Sequence, residues 1–141
     1  MNIGILGMKM SAGPFDILDI NQFDSNSMKN LLIVEDECII ARDYQLMVEH
    51  SGHHVVKIVN NGKDAVDAAV ANNPDFILMD INIKGDMNGI EAANEIHNKH
   101  IKAKIIFITA FDVKTFVFPE FQHYLLNKPI MRNSLLNILN N

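Results

Sequence analysis

A chain of 141 residues with 48% apolar and 21% charged side chains can bury one real core and is too apolar to be disordered. A net charge of −5, with acids and bases interspersed and no run of Lys and Arg, excludes a nucleic-acid surface built on counterion release. No apolar run approaches the roughly 20 residues of a membrane span, and a single cysteine, Cys38, excludes an internal disulfide and fits a reduced, cytoplasmic compartment.

In chain order, residues 1–27 carry no periodic pattern and no signal-peptide layout. They read as an N-terminal extension without a fold of its own, a vector-derived remnant or an over-extended start, and residues 28–141 as the one domain. From Asn30 the pattern becomes regular. Leu31–Val34 is a short apolar run ended by Glu35-Asp36-Glu37. Cys38 to Ser51 has helical spacing, with Ile39, Ile40, Met47 and Val48, and stops at Gly52. His54–Val59 is a second strand, and Gly62 to Asn72 a second helix that stops before Pro74. Asp75–Met79 leads to Asp80, and Asn88 to Lys99 reads as a helix carrying Ile90, Ala93 and Ile96. Lys104–Ile108 ends at Thr109-Ala110. The next connection, Asp112 to Gln122, is a poor helix, because Thr115 and Val117 are β-branched and Pro119 breaks it. His123–Leu126 ends at Asn127-Lys128-Pro129, and Ile130 to Leu139 closes the chain with Met131, Leu135, Ile138 and Leu139 on a helix.

Apolar runs without strict alternation suit strands covered on both faces. Strands alternating with helices build βαβ units with right-handed crossovers. The expectation is an α/β, doubly wound sheet of five parallel strands, flavodoxin-like if the order is 2-1-3-4-5, with its fourth crossover helix reduced.

That order brings Glu35-Asp36 and Asp80 to one edge, with Thr109 and Lys128 arriving from the other side, where open α/β sheets bind ligands. Carboxylates gathered at one edge repel each other, and a divalent cation with oxygen ligands, such as Mg²⁺, removes that cost. Asp36 and Asp80 are expected as direct ligands, Glu35 through water, and the Asn82 carbonyl as a further donor. An ionised Asp80 can attack a phosphoryl group without a general base, and Thr109 and Lys128 supply a hydroxyl donor and positive charge.

Taken together, Ile33-Val34-Glu35-Asp36-Glu37, Ile77-Leu78-Met79-Asp80-Ile81-Asn82 with Gly89, Ile108-Thr109-Ala110 and Lys128-Pro129 resemble the four motifs of the receiver domain of bacterial two-component response regulators. The resemblance runs from about Lys29 to Asn140. It implies a phosphoprotein that accepts its phosphoryl group on Asp80 from a histidine kinase or histidine phosphotransfer protein. It also implies that the chain catalyses only its own phosphorylation and dephosphorylation, with a population shift between two states. One helix follows Pro129, so a stand-alone module is expected. Output then comes from an unknown protein partner or onward phosphorelay transfer, with no nucleic acid and no membrane, and a homodimer is an option.

The chain departs from the motif in two places. The loop after Asp80 lacks the family's usual proline and is one residue longer. The switch-aromatic position, three residues before Lys128, holds Leu125, with Tyr124 displaced by one onto the opposite face. Coupling of Thr109 to Leu125 is therefore unlike the family's usual threonine–aromatic switch.

Blander readings stand beside these. His97 with His100, and His53 with His54, read as polar surface and turn residues. Cys38 reads as a helix space-filler, and the eight methionines as core filler. Phe111, Phe116, Phe118 and Phe121 read as core, with an exposed partner or dimer patch as the sharper alternative. Two other functions remain open: an Asp-nucleophile phosphohydrolase of haloacid-dehalogenase type, and a phosphate-independent scaffold receiver.

Overall fold

The computed structural model describes residues 27–110 and 112–141. The expected extension, up to residue 26, and Phe111 lie outside the described residues. Five strands form one sheet: β1 (Asn30–Val34), β2 (His54–Val59), β3 (Phe76–Asp80), β4 (Lys104–Thr109) and β5 (Tyr124–Asn127). Every neighbouring pair is parallel and the order is β2-β1-β3-β4-β5. The helices among the described residues are α1 (Cys38–His50), α2 (Gly62–Asn72), α3 (Gly89–Asn98) and α4 (Arg132–Leu139).

The strands read as continuous apolar runs because helices cover both sheet faces. Leu32, Val34, Ile77, Met79, Ile105 and Phe107 pack on the side of α2 and α3. Their chain neighbours Leu31, Ile33, Phe76, Leu78, Ile106 and Ile108 pack on the side of α1 and α4. Each fully buried Leu or Ile contributes about 2 kcal/mol through area removed from water. All five residues of β3 are buried, as expected for the central strand.

Helix ends follow local chemistry. The Asn61 side chain accepts the Asp64 N–H at 2.8 Å and starts α2. Asn73, at φ 45°, takes the left-handed cap that ends α2 before Pro74. Asn88 and Glu91 form a reciprocal capping box on α3, with N–H to side-chain oxygen distances of 2.8 and 2.9 Å.

Three expectations need correction. The buried stripe of α1 is Ala41, Tyr44 and Val48, while Cys38 is exposed and Ile39 is 80% exposed. At 100° per residue Cys38 and Ile39 lie off the stripe of Ala41, Tyr44 and Val48, whereas Ile40 of the same turn packs against the core. His53 is buried rather than solvated, because its Nδ1 accepts the Lys29 N–H at 3.0 Å. Helix α4 begins one residue after Met131, which is exposed at the N-cap position.

Among the described residues, the connection from β4 to β5 holds a single 3₁₀ turn, Val113–Thr115, in place of a helix. Phe116, Phe118 and Phe121 are half-buried against the α2–α3 side of the core. Phe118 meets Phe107 edge-on at 5.6 Å and stacks on His123 at 5.4 Å. Phe121 stacks on His97 of α3 at 4.3 Å. An aromatic cluster thus holds a segment that Pro119 prevents from being helical.

Helix α3 approaches the end of β3 at Gly89. A Cβ there would overlap the Asp80 carbonyl oxygen and stand 2.9 Å from the Ile81 Cα. Both obstacles are backbone, so the helix itself would have to move. Gly89→Ala should therefore destabilise the protein by about 3 kcal/mol, the range of overpacked sites, measured as a lower urea midpoint at unchanged slope.

Candidate functional site

The site lies at the C-terminal edge of the sheet, where three central strands run out together. Glu35 follows β1, and its N–H donates to the Val59 carbonyl at 3.0 Å. Asp80 is the last residue of β3 and pairs in register with Ile108. Thr109 ends β4, is buried, and pairs with Asn127 at the end of β5. The next residue, Lys128, donates its N–H to the Thr109 carbonyl at 2.9 Å, and the Lys128–Pro129 bond is cis.

These backbone positions bring the charged groups together. One carboxylate oxygen from each of Glu35, Asp36 and Asp80 lies within 4.8 Å of the others. The Lys128 ammonium is 3.3 Å from Asp80 Oδ2 and 3.3 Å from Glu35 Oε1. Asp80 Oδ1 accepts the Asn82 N–H at 3.2 Å, and Glu35 Oε2 accepts the Glu37 N–H at 3.1 Å. Glu35 Oε1 is buried and receives no aligned hydrogen bond, so its contact with Lys128 is an ion pair only. Glu35 and Asp80 are both buried, while Asp36 is half-buried.

Three acids against one ammonium leave a deficit of positive charge. Burial pushes the Glu35 carboxyl up to about 7, and repulsion from Asp80 adds to this against the Glu37 N–H and Lys128. Burial likewise raises Asp80, opposed mainly by Lys128. Lys128 is itself raised, because the attraction of Asp80 and Glu35 outweighs its burial. Such a cluster fits a hard divalent cation, since the donors are all oxygen and one buried oxygen lacks a hydrogen bond.

The structure also places the remaining sequence candidates. Asn82 is exposed just past Asp80, in the loop that leads to α3. Leu125 is 38% exposed on β5 opposite Phe107, whereas Tyr124 packs against the α1–α4 side. Tyr44 of α1 was missed by the sequence reading. It is buried, and burial pushes its phenol up to about 12, so it stays neutral near the charged cluster. The spacing Ala41, Tyr44, Val48 is the signal that could have found it.

Comparison with known proteins assigns the class. The family profile of the response regulator receiver domain matches residues 31–140, and the chain belongs to that family. It is a receiver domain of two-component signalling, a family of phosphoacceptors rather than classical enzymes. The transcriptional regulatory protein PdtaR of Mycobacterium tuberculosis is 35% identical over 94 residues, 67% of this chain and 45% of PdtaR. The anti-anti-sigma factor PhyR of Bartonella quintana is 34% identical, with a TM-score of 0.69 over 87% of this chain and 49% of PhyR. The receiver domain of the sensor kinase PA1611 from Pseudomonas aeruginosa is 27% identical, with a TM-score of 0.71 over 80% of this chain and 95% of that domain. That structure has a magnesium ion coordinated in its active-site cleft. The chain spans less than half the length of the curated relatives it matches. Nothing supports the phosphohydrolase alternative, and Asp80 ends the third strand rather than the first. No helix among the described residues is long and apolar enough to cross a membrane.

The raised carboxyl groups set a pH dependence. Between the ordinary 4.5 and about 7, folded Glu35 holds a proton that the unfolded chain has released. Stability therefore falls as pH rises through that window when no metal is present. Urea unfolding in chelator should show a loss on the order of 2–3 kcal/mol between pH 5 and pH 7.5 that Glu35→Gln removes.

Proposed function

We propose that Asp80 accepts the phosphoryl group, that Mg²⁺ is held beside it, and that Thr109 and Lys128 stabilise the transferring group. The observation that carries this reading is the convergence of three carboxylates within 4.8 Å, with Lys128 placed 3.3 Å from Asp80. Asp36 and Asp80 would hold the ion directly, with the Asn82 carbonyl and, through water, Glu35. When bound, Mg²⁺ supplies positive charge to phosphoryl oxygens and relieves repulsion among the acids.

The chain's own residues account for the rest of the chemistry. An Asp80 carboxylate oxygen forms a bond to phosphorus as the bond from phosphorus to the donor's imidazole nitrogen breaks. The electron pair leaves with that nitrogen, and the product is an acyl phosphate. Lys128 already sits against Oδ2 and can follow the charge onto the phosphoryl oxygens. Thr109, buried at the end of β4, offers its hydroxyl to one of those oxygens. In this reading the chain assists only its own phosphorylation and dephosphorylation. The donor is a histidine kinase or histidine phosphotransfer protein, as the family's chemistry requires.

The domain proper is proposed to be residues 28–141, acting in the cytoplasm. Its output is proposed to pass through a protein contact, by analogy with the PhyR relatives. The exposed Leu125 argues for a switch that does not use the family's aromatic.

Incubation with acetyl phosphate and Mg²⁺ should add one phosphoryl group to the intact mass. Asp80→Asn should abolish that addition with the fold retained, as read by circular dichroism. Equal labelling of the Asn variant would assign the phosphoryl group elsewhere.

A further inference from the structure

The chain does not leave the core when β3 ends. Ile77 and Met79 face the α2–α3 side, and Ile81 and Ile83 keep to that side at the same two-residue spacing, both buried. Between them Asn82 is exposed, and its N–H donates to Asp80 Oδ1 at 3.2 Å. Lys84 then makes a single parallel bridge to Asn61, the N-cap residue of α2. At Gly85 the backbone takes φ 106°, a conformation that side chains disfavour. The chain returns from there to α3, where the Gly89 N–H donates to the Ile81 carbonyl at 2.8 Å.

On this return Met87 meets Gly62, the first residue of α2. Gly62 is buried, and a Cβ there would stand 2.9 Å from the Met87 Cβ and 3.0 Å from its Cγ and Sδ. The contact has room only because residue 62 lacks a side chain. Met87 is half-buried against the same core cluster as Ile81 and Ile83. Two adjacent residues of α2 therefore hold the loop, Asn61 through the backbone bridge and Gly62 through Met87. We infer that Met87 is a positioning residue: seated on Gly62, it holds the loop after Asp80 in the conformation that keeps Asn82 beside the Asp80 carboxylate.

Backbone freedom in a loop has to be offset by contacts. Lys84, Gly85 and Asp86 are exposed, so the apolar contacts come from Ile81, Ile83 and Met87. Ile81 and Ile83 lie on the outgoing limb, and Met87 is the one of the three on the returning limb. The Gly89 N–H ties that limb back to Ile81, next to Asn82. A returning limb freed from α2 thus frees Asn82 as well. The consequence for chemistry rests on the proposed reading of Asp80 as phosphoryl acceptor with Asn82 as a cation donor. In that reading a displaced Asn82 weakens the cation site and slows phosphoryl transfer.

Amide exchange followed by NMR on the metal-free full chain, with every variant fully folded, tests the restraint apart from that chemistry. Met87→Ala should speed exchange of the Asn82 amide several-fold, and Met87→Leu, close in volume, should leave it as in the wild type. Gly62→Ala should act like Met87→Ala, because the new Cβ displaces Met87 while alanine suits the helix better than glycine. Val48→Ala removes buried apolar atoms on the other face of the sheet and should leave the Asn82 rate unchanged. Labelling by acetyl phosphate with Mg²⁺ should slow several-fold in Met87→Ala but not in Met87→Leu. Unchanged Asn82 exchange in Met87→Ala would overturn the inference, and equal acceleration by Val48→Ala would reduce Met87 to packing. Faster exchange with labelling at the wild-type rate would overturn the positioning role. A wild type that takes up no phosphoryl group would sink the reading of Asp80, whereas the restraint on Asn82 stands or falls by the exchange rates.

Discussion

Lys128 stands 3.3 Å from both Asp80 and Glu35, and the rest of the site is arranged around that shared ammonium. One positive charge cannot neutralise two buried carboxylates with a third, Asp36, close by. The imbalance shows in Glu35, whose carboxyl is pushed up to about 7 by burial and by Asp80. A buried charge deficit of this kind costs stability, and carboxyl groups perturbed in this way cluster at functional sites. A phosphoryl-transfer site needs that property, because it must attract a cation and hold it beside a nucleophile.

The fold makes the cluster possible by topology. Strand order β2-β1-β3-β4-β5 sets β1 beside β3 and β3 beside β4, so consecutive strand ends deliver Glu35, Asp80 and Thr109 to one edge. Parallel pairing means that all these ends point the same way. Gly89 then lets α3 begin directly over the Asp80 carbonyl, which fixes the loop after Asp80. At the other edge, the strand starts carry lysines and the Phe121–His97 stack, so the two ends of β4 differ sharply in charge.

Much of this was legible in the sequence because strands buried on both faces are continuous apolar runs, and polar residues mark their ends. Leu31–Val34 before Glu35 and Phe76–Met79 before Asp80 are such cases. The missing helix was legible through Pro119. Cys38 and Ile39 are exposed because they point away from the stripe of Ala41, Tyr44 and Val48. Other features depended on contacts distant in sequence. His53 is buried because Lys29, 24 residues away, supplies its partner. The stacking of Phe121 rests on His97 in helix α3. Tyr44 is a different case, since its spacing from Ala41 and Val48 was visible in the chain.

The central claim is that the carboxylate cluster is a cation site built around Asp80. Calorimetric titration of Mg²⁺ into the wild type and Asp36→Asn at neutral pH tests it most directly. Asp36 is half-buried at the rim and makes no ion pair with Lys128 among the described residues, so its replacement leaves the packing in place. The account predicts saturable, weak binding to the wild type, with affinity reduced about tenfold or more in the variant, the loss of one of two direct carboxylate ligands. Equal affinity in the two proteins would contradict it.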